Sequence, residues 1–184
     1  VDASGDADVC FHAGAPTETS PNNVVAGWYY EASPEKFQLK TFSHKYDPDH
    51  YRGQEAEGPF YNGVNHRELT ELVLQSRREI YDRIQQSRKV SGENRSFVVG
   101  MNSIPDVRVT RWLNNDFTLE EKHRHLWLDD IVGMTGDWRK KGPVYPIPLR
   151  SLRCESVPNL FVAGRCISAG HSVTDVTRAI PTCA

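Results

Sequence analysis

The chain has 184 residues, of which 25% are charged and 38% hydrophobic, and a formal net charge of −2. That length suits one domain or two small ones and is enough to bury a core, and the composition is that of a globular chain. The basic residues are dispersed, which excludes the one-sided patch a nucleic-acid binder needs. No apolar run nears the roughly 18 residues of a membrane span, and no signal peptide opens the chain.

The opening stretch VDASGDADV reads as the middle of a structural unit, so the chain is expected to be a fragment of a longer protein. Residues 1–3 suggest the end of a strand and Ser4–Gly5–Asp6 a turn. Val24 to Tyr30 is β-branched and aromatic, which predicts a strand. Residues 42–63 are polar and turn-rich and predict a long surface loop. Asn65, with Glu68 three residues on, can cap a helix. Leu69, Leu72, Val73, Ile80 and Ile84 then recur at helical spacing, and Gly92 offers a stop. The helix is placed at about 66–90, with one apolar stripe to bury.

Residues 96–101 and 107–113 read as strands. In the second, Val107, Val109 and Arg111 would share one face, and Arg108, Thr110 and Trp112 the other. Thr118 and Glu121 predict a capping box for a short helix at about 119–130. Residues 137–143 read as a turn. VYPIPLRSL carries two prolines and is at best an extended edge segment. Residues 159–163 predict a buried strand. A last helix is expected to begin at Ser172, with Val173, Val176 and Ile180 on its buried face and Pro181 as a kink or stop. The four cysteines, Cys10, Cys154, Cys166 and Cys183, lack metal-type spacing and read as buried free thiols. The compartment stays open, with the cytoplasm as default.

Both ends share a pattern: a short strand, then a turn of small residues. Small residues let the backbone approach a ligand closely. In NLFVAGRCISAGHS the turn feeds the last helix, whose start offers unpaired amides to an electron-rich atom. These two segments resemble those of the FAD-dependent oxidoreductases of the glutathione-reductase-like flavoprotein fold. VDASGDADVCFHAGAP is similar to a strand-turn of that family. YPIPLRSLRCESVPNLFVAGRCISAGHSVTDVTRAIPTC is similar to its carboxyl-terminal flavin-binding segment. PDVRVTRWL and DDIVGMTGDW resemble it more loosely, and the family's G-x-G-x-x-G unit is absent from the chain.

The resemblance implies a set of roles. Gly164 and Arg165 would lie against the flavin's pyrophosphate and ribityl chain. Ser168 and His171 would face the ring, with His171 as the catalytic candidate for proton transfer. The helix opening at Ser172 would point its amides at the pyrimidine end, and Asp2, Gly5 and Asp6 would line the other side. Arg178 is a family position without an assigned role. Arg108 and Arg111 are the candidate substrate fork, since guanidinium groups suit carboxylates. His44, His50, His66, His123 and His125 have no metal-ligand spacing, so no metal is expected.

The expected architecture is α/β or α+β. Residues 1–15 and 151–184 would be a partial FAD-binding domain. Residues 16–150 would be a substrate or cap domain, a mixed sheet backed by one long helix. The expected function is part of a FAD-dependent oxidoreductase moving a hydride or electrons between a small organic substrate and FAD. The alternative is a non-catalytic substrate-domain fragment or binding module without bound cofactor. The oligomeric state is not legible.

Overall fold

The structure, a computed structural model, describes residues 1–45, 58–91 and 96–183. Helices and sheets are both present, and every pair of named strands is antiparallel. Among the described residues parallel pairing occurs as isolated bridges, Asp2 with Val162 and Leu119 with Ala169. The described residues form two compact units, 1–20 with 108–183, and 21–107. Residues 108–150 fall in the same compact unit as the terminal segments.

The first unit begins with the helix α1 (Asp8–His12), which the sequence reading missed. Strand β1 (Thr17–Thr19) pairs with β5 (Arg111–Leu113). The strand expected over 107–113 is thus cut to three residues. Its alternation also fails: Val109 to Leu113 are all buried, so neither side faces water and no period of two can appear. Strands β6 (Ile131–Gly136) and β7 (Val144–Pro148) form a hairpin. The prolines of β7 are tolerated because it pairs on one side only. The chain ends with α3 (His171–Thr177) and α4 (Ile180–Cys183). The start at His171, one residue before the expected Ser172, is within the normal uncertainty of a helix end.

The helix expected at 119–130 is a single 3-10 turn, Glu121–His123. Glu120, not Thr118, caps it, and its backbone N–H donates to His123 Nδ1 at 2.9 Å. His125 at φ 60° then stops further winding. The buried strand expected at 159–163 reduces to two bridge residues: Phe161 pairs with Arg153 and Val162 with Asp2. Asn159 and Phe161 are exposed. Around these bridges Leu113, Leu119, Tyr145, Cys10, Cys154, Cys166, Val173 and Val176 make one apolar core.

The second unit is a three-stranded sheet in the order β3-β2-β4, with β2 at Ala26–Ala32, β3 at Phe37–Ser43 and β4 at Phe97–Met101. Helix α2 spans His66–Ser91, as its cap and stripe predict. Asn65 Oδ1 accepts the backbone N–H of Arg67 at 3.0 Å, and the Asn65 amide donates to Glu68 at 2.9 Å. Leu72, Ser76, Ile80 and Ile84, each four residues apart, are its buried residues, and each apolar one contributes about 1.5–3 kcal/mol by leaving water. Of the loop expected at 42–63, Phe42 and Ser43 belong to β3, and Tyr61 bridges Asn23. Residues 46–57 of that loop, His50 among them, and the helix stop at Gly92 lie outside the described residues.

Candidate functional site

The first unit brings five of the sequence-predicted site residues into one cluster. Asp2 anchors it. Its N–H donates to the Phe161 carbonyl at 2.7 Å, and its own carbonyl accepts the Ala163 N–H at 2.9 Å. Its side chain turns back into the following bend. Oδ1 accepts from the Ser4 hydroxyl at 2.7 Å and the Ser4 N–H at 3.1 Å, and Oδ2 accepts the Cys10 N–H at 2.9 Å. Burial pushes the carboxyl pKa up, but these hydrogen bonds outweigh it and hold the group below its ordinary value. Asp2 is fully buried. Through these bonds it braces the turn.

Gly5 adopts φ 84°, and a Cβ there would stand 2.7 Å from Nη2 of Arg165. The close approach that calls for glycine is thus made by the protein's own guanidinium. Arg165 Nε donates to the Gly5 carbonyl at 3.2 Å, and Nη2 pairs with Asp6 at 3.3 Å. Arg111, predicted to bind substrate, instead donates from Nε to the Asp6 carbonyl at 2.8 Å, pairs with Asp8, and lies over the Phe11 ring at 4.3 Å. Arg111 is nine-tenths buried among these partners. Arg108 is half-buried.

Ser168 is fully buried, and its hydroxyl donates to the Phe117 carbonyl at 2.8 Å. It holds the 117–119 segment. His171 opens α3, half-buried and edge-on to Trp112 with ring centroids 5.3 Å apart. Ser172 is half-buried beside it, and its carbonyl accepts from Arg139 at 3.1 Å. The cap position of α3 is Gly170, and no side chain bonds into that cap.

Two arrangements were invisible to sequence reasoning. At the tip of the β6–β7 hairpin, Arg139 grips Asp137 with two 2.8 Å hydrogen bonds, reaches the Ser172 carbonyl, and lies 3.9 Å from Asp175. Trp138 Nε1 donates to the Asp175 carbonyl at 2.9 Å. The hairpin tip is in this way tied to α3. In addition, Tyr145, fully buried, donates its hydroxyl to Glu121. Burial and the Glu121 charge move the Tyr145 phenol well above its ordinary value. The ties from the hairpin tip to α3 and from Tyr145 to Glu121 join residues more than 20 positions apart and leave no periodic signal.

With this geometry established, the comparisons can be placed on it. The family model described as FAD dependent oxidoreductase matches residues 130–184. The match begins at the hairpin and runs through the 163–172 turn and α3, the parts that Asp137 and Arg139 hold together. No curated protein and no solved structure matches the chain. Among the described residues no group of His, Cys, Asp or Glu could hold a metal ion, and no helix is long and apolar enough to cross a membrane.

The 163–172 turn fits the cofactor that this family implies. Gly164 takes φ 67°, and among the described residues beyond its chain neighbours a Cβ there would meet Cys183 Sγ at 3.6 Å, an ordinary contact distance. Its backbone is thus open to close approach, the Arg165 side chain is partly exposed beside it, and Gly170 leaves the start of α3 without a side-chain cap.

Proposed function

We propose that this chain is part of an FAD-dependent oxidoreductase in which the 163–172 turn meets the cofactor and residues 2–8 brace that turn from behind. The observation that carries the reading is the match of residues 130–184 to that family. When bound, FAD supplies the chemistry, accepting a hydride or electrons from a small organic substrate. Gly164 offers backbone at close range, and Arg165 offers a cation to the phosphates. Asp6 and the Gly5 carbonyl hold that guanidinium in one orientation, which lowers the entropy it would lose on binding. His171, set against Trp112, is the proton-handling side chain, since imidazole chemistry works near neutral pH. Residues 1–20 and 108–183 form the cofactor-facing unit, and 21–107 the substrate or cap unit.

One observation favours a second reading. Asp6, Asp8, Arg111 and Arg165 satisfy one another within the chain, as in a binding module without cofactor. Titrating FAD into the full chain and following flavin fluorescence separates the two. Binding that weakens about tenfold in Gly164→Ala, from left-handed backbone strain of about 1–2 kcal/mol, supports the flavoprotein. A colourless chain that leaves FAD fluorescence unchanged overturns it in favour of the module.

A further inference from the structure

The second unit holds a groove of about 420 Å³ between the sheet and the C-terminal half of α2, lined by Tyr29, Lys40, Thr41, Arg83, Gln86, Ser87 and Val90. That volume lies in the range of small-molecule sites. We propose that this groove binds a small organic oxyanion, a carboxylate or phosphate ester, independently of the flavin reading.

The argument starts from an unused donor. Tyr29 is 3% exposed, yet it lines the groove, and its hydroxyl meets no hydrogen-bond partner among the described residues. A bound acceptor can take the hydrogen bond that this hydroxyl otherwise gives to water in the groove. The neighbours are donors as well. Lys40, the cross-strand partner of Tyr29, touches Glu31 at 3.5 Å with one corner of its ammonium, which leaves further N–H groups to give. Arg83 directs Nε and Nη2 to Glu79 and lies over the Phe42 ring at 4.8 Å. Its Nη1 remains available. Gln86 adds an amide.

The acidic groups nearby are already engaged. Glu31 is buried beneath the groove, where it accepts from Ser87 at 2.6 Å and from Gln38 at 3.3 Å. A wall of donors backed by satisfied carboxylates selects a ligand rich in acceptors. The Tyr29 ring, the Val90 side chain and the stems of Lys40 and Arg83 accommodate its apolar body.

The test uses the full chain, labelled for amide NMR, and titrates benzoate, phenyl phosphate and neutral benzamide separately. Shifts at residues 40, 41, 83, 86 and 87, saturating with Kd of about 1 mM or tighter, are expected for benzoate, phenyl phosphate or both. The tighter of the two identifies the head group. Tyr29→Phe and Gln86→Ala, the latter an exposed helix position, are each expected to weaken binding about fivefold. The proposal is overturned if neither anion shifts these residues, if benzamide binds as well as benzoate, or if both variants, with unchanged melting temperature, bind like the parent.

Discussion

Asp2 gives both carboxylate oxygens to the bend that follows it, and the charge on them makes those bonds strong. Replacing Asp2 with Asn keeps one acceptor but turns an amide toward donors, so a loss of about 1–3 kcal/mol is expected in urea unfolding. The pH dependence has a definite sign. Because the folded pKa lies below the group's ordinary value, the stabilisation is fully present above that ordinary value and is lost as pH falls through the lower folded one. Acid unfolding of Asp2→Asn is therefore expected to be flatter than that of the parent below about pH 4. An identical acid profile would show that Asp2 does not carry this term. Gly5 and Gly14 offer a paired comparison. Both have positive φ, but only at Gly5 would a methyl meet another side chain, that of Arg165. Gly14→Ala is expected to cost only the backbone strain of about 1–2 kcal/mol. Gly5→Ala costs that strain and also displaces Arg165 from Asp6, which circular dichroism melts of Gly5→Ala in parent and Arg165→Ala backgrounds will show as non-additive. Composition suggests glycine and aspartate at a turn. Nothing in it says that the turn's closest neighbour lies 160 positions away.

Helix α2 is the element most legible in the sequence, because its signals are local: Asn65 caps it and a repeat of four sets its buried stripe. The segment after Thr118 has a capping signal too, yet winds only one turn. Glu121 is drawn to Tyr145 and Arg124, and His125 sits in a left-handed conformation. There, long-range bonds override local propensity. Helix α3 depends on the hairpin in the same way. Arg139 and Asp137 are a nearly buried pair, with 11% and 0% side-chain exposure, and breaking one leaves a charge uncompensated. Arg139→Ala is expected to cost about 3–5 kcal/mol, and hydrogen exchange is expected to report lost protection first in residues 173–177. Unchanged protection there would refute the tie between hairpin and helix.

Across the whole molecule, the four thiols measure how completely the core closes. Cys10, Cys154 and Cys166 are buried, and Cys183 is exposed. Burial, reinforced by the nearby Asp2 carboxylate, drives the Cys10 thiol up to about 12, and burial raises Cys166 as well. Low thiolate content and poor access make both unreactive. A dithionitrobenzoate assay is therefore expected to titrate one thiol in the native chain and all four in denaturant. More than one fast thiol would mean the core opens readily. The sequence marked all four as buried, which fails at Cys183, and could not show that the other three share one apolar cluster, because Cys10 lies more than 140 residues from Cys154 and Cys166. The bridge from Asp2 to Val162, together with the Ala7 amide on Cys166 at 3.3 Å, has a practical corollary. The stretch that matches the oxidoreductase family is continuous along the chain but not autonomous in space. Transplanted alone into a chimera, it would arrive with a bare edge at Val162 and a hollow where α1 belongs, so a working graft has to carry both pieces.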